Sequence, residues 1–438
     1  MTKGTGMEQW REDLLRVYRE VRQASIEMCV PLEPEDFQVQ PSEEVSPPKW
    51  NLGHTSWFFW QFLLKPRGMS MPVDHEYAYL LNSYYHRAGL RGDRGRRGIR
   101  TRPAIGDIYR YRKVVDERME KLLTRSPAED REEFTFLVTV GVNHEQQHQE
   151  LFYSEIKNIY FANPVNLRPV YRQRREKAPQ SGEPGAPEFI PFKGGMFEFG
   201  NIEGGWCWDN ELDVHKAFIG DFALQNRLVT NADYIEFMED GGYGNSLFWL
   251  SDGWFEIEKQ QWRAPLYWEK IDGKWRTFTL SGMLEVDPDE PVCHVSFYEA
   301  NAFANWKSQV DANYRDVRLP TEREWEFAAR ESGAGPVHGN LFDQGSLHPE
   351  AAIAGRGLSQ VFGDVWEWTA SYYEPYPGFR EFPNDLSEYN GKFMNNQRVL
   401  RGGSCVTPKN HIRVSYRNFW APATRFQFSG FRLAKSLG

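Results

Sequence analysis

From residue 8 to about residue 160, apolar positions return every three or four residues; after residue 189 they do not. Trp10, Leu14, Leu15, Val17, Val21 and Ile26 predict an amphipathic helix over 8–29, ended by Pro31 and Pro34. Residues 37–48 are polar and proline-rich and read as loop. From residue 51, Leu52, His54, Trp57, Phe58, Trp60, Phe62, Leu63 and Leu64 leave almost no polar face. They predict a buried helix, closed by Pro66 and Gly68. Tyr77, Tyr79, Leu80, Leu81, Tyr84 and Tyr85 predict a third helical piece. Pro103 starts a fourth, carried by Ile105, Ile108, Tyr111, Val115, Met119 and Leu122, with Ser126-Pro127 as its break. Residues 132–160 predict the last long helix, which completes an all-helical bundle.

Residues 172–188 hold Pro179, Gly182, Pro184, Gly185 and Pro187 among charges and read as a linker. Beyond it only short helical periods remain, around 231–239, 297–307 and 321–330. Gly, Trp and Asn/Asp become frequent, and the runs 398–401 and 411–414 read as strands. The expected class is therefore multi-domain, α followed by α+β: a helical domain over 1–171, the linker, and a loop-rich domain over 189–438. No internal repeat is visible.

Composition narrows the function. With 438 residues, 40% of them hydrophobic and 26% charged, the chain has room for two ordinary globular cores. A net charge of -9 argues against non-specific nucleic-acid binding. The exception is local: Arg87, Arg91, Arg94, Arg96, Arg97, Arg100 and Arg102 cluster, either as a solvated loop or as a site for a small anion such as a carboxylate. Cys29, Cys207, Cys293 and Cys405 are scattered and form neither a disulfide framework nor a thiolate metal site. The polar start and the lack of a long apolar run predict a cytoplasmic protein with no membrane partner.

The densest chemistry is Val142-Asn143-His144-Glu145-Gln146-Gln147-His148-Gln149-Glu150. Histidines four apart share one helix face and can reach one metal ion together. The string is also His-Glu-x-x-His, the zinc-protease pattern, in which Glu145 would be the general base. No downstream His completes that pattern; Glu150 and Glu155 are the nearby alternatives. His54 is the better third ligand, because an imidazole in so apolar a helix needs a partner. Three neutral imidazoles with an open side suit an iron(II) centre taking a thiolate and O2, although imidazole alone does not separate Fe from Zn, Cu or Ni.

With this set in place, the chain resembles a known family. His54 with His144 and His148 is similar to the metal-binding helical domain related to the DinB four-helix bundle. The second half resembles the formylglycine-generating-enzyme type of domain, a variant of the C-type lectin fold. The matching strings are Gly194-Gly195-Met196-Phe197-Glu198-Phe199-Gly200, Pro291-Val292-Cys293-His294-Val295-Ser296, Arg318-Leu319-Pro320-Thr321-Glu322-Arg323-Glu324-Trp325-Glu326, Gly363-Asp364-Val365-Trp366-Glu367-Trp368, Arg401-Gly402-Gly403-Ser404 and Gly430-Phe431-Arg432. In this order the two halves resemble the nonheme iron sulfoxide synthases of ergothioneine biosynthesis, over almost the whole chain.

The resemblance implies Fe(II) on His54, His144 and His148. It also implies a C–S bond between a thiol and the imidazole of hercynine (Nα-trimethylhistidine), with O2 as oxidant. It assigns Gln147 and Asn418 to hercynine, places Phe419 and Trp420 in the strand and loop that close the pocket, and assigns Arg94 and Arg97 to the thiol's carboxylate. Arg425 is a further anion contact. A tyrosine is expected to donate a proton or hydrogen atom: Tyr84, Tyr85 or, more remotely, Tyr416. Members that use γ-glutamylcysteine tend to carry an acid where this chain has Trp420, which favours free cysteine. Cys405 has no neighbouring cysteine, so the copper-dependent formylglycine activity is not expected. Histidine–cysteine (ovothiol-type) and selenosugar-using relatives remain as rivals, with a zinc hydrolase as the distant one.

Overall fold

The computed structural model describes residues 8–69, 71, 74–163, 171, 186–353, 355 and 357–438. The expected linker falls outside the described residues except for 186–188. Contacts divide the chain into two compact units, Met1–Val165 with Pro383–Glu388, and Asn166–Phe382 with Tyr389–Gly438. Residues 383–388 thus go with the helical unit although they lie far along the chain.

The helical unit holds α1 (Gln9–Glu27), α2 (Pro48–Phe59), α3 (Asp74–Leu81), α4 (Ile105–Arg125) and α5 (Arg131–Phe161). α1 buries Leu15, Tyr18, Val21, Arg22 and Ser25, one side of the helix, against α5 and α4. α2 is buried along its whole length and packs on α4 and α5. It runs on through a π-helical turn, Trp60–Leu64, and stops at Gly68, whose φ of 72° suits glycine. α5 can approach α2 this closely because residue 141 is glycine; a Cβ there would lie 2.4 Å from the Phe59 ring. α3 is shorter than the aromatic spacing predicts. It ends at Leu81, so Tyr84 and Tyr85 sit in the turn that follows and not on the helix. Asn82 causes the stop: its side chain bonds the Tyr85 backbone instead of letting the helix continue.

The second unit is built from short strands. In chain order they are β1 (Phe189–Phe192), β2 (Gly195–Phe199), β3 (His215–Ile219), β4 (Phe222–Gln225), β5 (Trp268–Ile271), β6 (Lys274–Thr279), β7 (Gly282–Glu285), β8 (Val317–Arg318), β9 (Trp366–Tyr372), β10 (Arg398–Arg401), β11 (Asn418–Trp420), β12 (Ser429–Gly430) and β13 (Ala434–Ser436). They form sheets ordered β1-β4-β13-β8, β11-β10-β9-β12, β5-β6-β7 and β2-β3. The helices are α6 (Asn231–Glu239), α7 (Ser251–Gln260), α8 (Phe297–Val310) and α9 (Glu322–Glu331). Phe199, Phe222, Leu224, Phe327 and Ala434 share one core between the first sheet, β2 and α9. Thr321, Ser296 and Thr230 cap α9, α8 and α6 through the backbone N–H three residues on.

The family strings serve as internal bracing. Glu326 pairs with Arg401, and Glu367 pairs with Arg432 and accepts Trp325 Nε1–H at 2.9 Å. These side chains are all buried. The run 411–414 is not a strand, contrary to its apolar alternation. Its residues turn back, and Arg413 pairs with Glu211. All four cysteines are buried, and none is joined in a disulfide. No helix among the described residues is long and apolar enough to cross a membrane.

Candidate metal centre

His54 comes from α2, and His144 and His148 come from successive turns of α5. Their ligand atoms lie within 4.8 Å of one another, the only such group of three among the described residues. His54 Nε2 is 3.1 Å from His144 Nε2. Two nitrogens on adjacent vertices of a metal with bonds of about 2.1 Å sit roughly 3 Å apart, so this spacing fits a shared ion.

Their outer nitrogens are oriented from behind. His54 Nδ1–H donates to Leu81 O at 2.6 Å, and His148 Nδ1–H donates to Asn51 Oδ1 at 2.9 Å. Both bonds leave Nε2 with its lone pair free for a metal. Asn51 in turn donates to Glu155 Oε2, and Ser46 N–H donates to Glu155 Oε1 at 2.8 Å. Burial pushes the Glu155 carboxyl up to about 7, against those two donors. Burial also lowers all three histidines. Arg97 adds to the effect on His148, which falls to about 3, and His148 adds to it on His54 and His144. The imidazoles are therefore neutral at ordinary pH, the form that binds metal.

Glu145, between the two α5 histidines, faces away from them. It pairs with Arg22 (2.9 Å) and Arg112, and accepts Ser25 Oγ–H at 2.6 Å. Burial alone would raise its pKa; Arg112 and Arg22 hold it below the ordinary carboxylate value. A carboxylate so committed is a structural anion joining α1, α4 and α5, not the base of a zinc protease.

The arginine cluster divides. Arg97 is buried, its guanidinium 3.3 Å from the Trp50 ring centre, and it donates to Ser46 Oγ at 2.9 Å. Trp50 stacks on His54 at 4.5 Å and 11°. Arg97, Trp50 and His54 thus form one pile beside the triad. Arg94 is exposed and donates to the Glu43 and Glu44 carbonyls. Tyr85 is fully buried against Trp57, Phe58 and Phe62. Trp57 and Phe58 touch His54 and His144 in turn. Tyr84 is half-buried with its ring 4.7 Å from that of Tyr85. Gln147 is half-buried on α5, one position before His148.

In the second unit, Asn418, Phe419 and Trp420 form β11, paired with Leu400, Val399 and Arg398 of β10. Phe419 stacks on Tyr373 at 4.0 Å, and Trp420 meets Phe426 edge-on at 5.2 Å. Asn418 Oδ1 accepts the Phe419 N–H. Arg425 is buried, pairs with Glu299 at 2.9 Å and stacks on Trp262, so its charge is already matched. Tyr416 is buried with its hydroxyl 3.0 Å from His411 Nε2.

Sequence reasoning did not single out Trp50, Asn51 or Asn82. The first two had a readable signal: they lie four and three residues before His54 on the same helix, hence on its face. Asn82 had none, because its role depends on a turn.

Residues 18–152 match the DinB superfamily, and residues 174–354 and 345–437 match the sulfatase-modifying factor enzyme 1-like domain. The hercynine oxygenase of Mycolicibacterium smegmatis is 35% identical over 332 residues, covering 68% of this chain and 71% of that protein. The hercynine oxygenase of Mycobacterium tuberculosis is 35% identical over 247 residues, covering 52% and 55%. The formylglycine-generating enzyme of Streptomyces coelicolor is 27% identical, covering 56% and 88%. The chain is an O2-dependent oxidoreductase and belongs to the hercynine oxygenase family, the sulfoxide synthases of ergothioneine biosynthesis.

Proposed function

We infer that the chain joins the sulfur of L-cysteine to the imidazole C2 carbon of hercynine and oxidises that sulfur, giving hercynylcysteine sulfoxide. The atoms balance without an added reductant. The imidazole C–H and the thiol S–H give up their hydrogens, one oxygen of O2 ends on sulfur and the other leaves as water. The observation that carries the reading is the triad of neutral imidazoles, with Arg97 stacked through Trp50 beside it.

Fe(II) on His54, His144 and His148 would supply electrons to O2 and a place for a thiolate. The remaining work falls to side chains. Arg97, buried and cationic, binds the cysteine carboxylate, with Arg94 behind it. Gln147 and Asn418 hydrogen-bond hercynine, and Phe419 and Trp420 offer aromatic faces to its trimethylammonium. Tyr84 or Tyr85 delivers the proton or hydrogen atom that oxygen reduction consumes. Trp420 leaves no carboxylate for the ammonium of a γ-glutamyl group, so free cysteine is the preferred thiol. A cytoplasmic location belongs to the same reading, because ferrous iron and a free thiol are kept reduced there.

The test is anaerobic loading with Fe(II), followed by O2 uptake with hercynine and either cysteine or γ-glutamylcysteine. One O2 consumed per sulfoxide formed, with cysteine the better thiol, is expected. Absence of uptake with both thiols would sink the reading, and preference for γ-glutamylcysteine would overturn the role given to Trp420.

A further inference from the structure

The turn after α3 carries both candidate tyrosines, and it is tied down at two points. On one side, Tyr85 N–H donates to Asn82 Oδ1 at 3.0 Å, and Asn82 Nδ2 donates to Tyr85 O at 2.9 Å. On the other side stands Glu388, some three hundred residues further along the chain. Its two oxygens accept the N–H groups of His86 and Arg87, each at 2.9 Å. A carboxylate receiving two successive backbone N–H groups makes two charge-assisted bonds and fixes the peptide planes that bear them.

Glu388 closes the short segment Pro383–Glu388, which belongs to the helical unit. The chain on both sides of that segment is anchored in the other unit. The buried Asp209 carboxylate accepts Phe382 N–H at 3.2 Å and Asn390 Nδ2–H at 2.6 Å, and Tyr389 stacks on Trp208 at 4.4 Å.

We propose that Glu388 is a positioning residue for the oxygenase reaction: it clamps the 84–87 turn so that the reacting tyrosine keeps its aim. This rests on the reading that Tyr84 or Tyr85 donates during turnover. Small misplacements of a reacting group cost rate and leave substrate binding unchanged. The turn has no helix of its own to fix it, since α3 stops at Leu81.

The test uses the full-length, Fe(II)-loaded protein. In Glu388→Ala, amide hydrogen exchange of peptides spanning 82–90 should rise by roughly tenfold or more. The unfolding midpoint and Fe(II) affinity should stay as in the unaltered protein. kcat should fall by about tenfold, with KM for hercynine and cysteine within about twofold. Glu388→Gln, which keeps one acceptor oxygen, should fall between the two. In the background of whichever tyrosine variant, Tyr84→Phe or Tyr85→Phe, has lost turnover, Glu388→Ala should add no further loss. Unchanged exchange over 82–90, or losses that multiply, would overturn the clamp while leaving the tyrosine role standing. Full turnover in both tyrosine variants would remove the tyrosine role and the proposal with it.

Discussion

At the scale of single residues, Glu145 separates two chemistries that share one string of letters. The sequence places a carboxylate between two histidines, and that pattern alone cannot say which way the carboxylate points. The structure turns it toward Arg22 and Arg112, both buried. Glu145→Gln should therefore act on the fold. Removing one member of a buried ion pair costs on the order of 3–5 kcal/mol. The lower end applies because Arg22 keeps Asp116 at 2.7 Å. Urea unfolding should show that loss, while metal affinity and the turnover of folded protein stay within a few-fold. Intact stability with abolished turnover would return Glu145 to the role of a base. The three histidines were legible because metal ligands must be polar where the helix around them is apolar. Trp50 and Asn51 stood in the same string but carry no distinctive chemistry of their own. Their roles, stacking on His54 and holding His148, appear only once α2 is set beside α5.

At the scale of elements, the long helices were legible because 3.6-residue periodicity accumulates over many turns, and α1, α4 and α5 lie within a few residues of where it puts them. Short elements lack that advantage. The alternation over 411–414 imitates a strand, yet these residues turn so that Arg413 can reach Glu211. α7 has a single buried apolar position, Ile257, and gave no period to read. The turn before β9 carries a prediction of its own. Asp364 has a φ of 56° and is buried, and its Oδ1 accepts Asn340 Nδ2–H and Glu350 N–H, each at 2.8 Å. Burial pushes its carboxyl up to about 7, against those donors. Folded protein then holds a proton that unfolded protein has released, in the window from roughly pH 4 to pH 7. Within that window stability falls as pH rises, by up to about 1.4 kcal/mol per pH unit for this group. Asp364→Asn keeps a carbonyl oxygen for both donors, tolerates the left-handed backbone and has no charge to bury. Its urea midpoint should gain on that of the unaltered protein between pH 5 and pH 7.5. A constant difference across that range would show that Asp364 is already ionised in the fold.

At the scale of the whole chain, the two halves were legible from the change of period near residue 189, but the division of residues between units was not. Residues 383–388 carry no helical signature; they join the helical unit through contacts that sequence distance conceals. The same scale governs what a metal ion does to stability. The centre of the helical unit holds three neutral imidazoles, His54 and His144 buried and His148 half-buried, with ligand atoms gathered within 4.8 Å. α2 and α5 must be in place together before those atoms converge, and an unfolded chain offers no such group. A metal that binds the folded form alone stabilises it by about 2.7 kcal/mol at a hundred times its dissociation constant. For a unit of this size that shifts the unfolding midpoint by roughly 5–10 °C. Anaerobic titration with Fe(II), followed by the far-ultraviolet signal of the helices, should show the midpoint climbing with the logarithm of metal concentration. His54→Ala removes one ligand and leaves the pair on α5, so the climb, measured from the variant's own metal-free midpoint, should shrink to a small fraction of its size. That metal-free midpoint should itself fall, because His54 is buried, stacked on Trp50 and bonded to the Leu81 carbonyl. An equal climb in the variant would place the metal elsewhere and would detach the triad from the chemistry assigned to it.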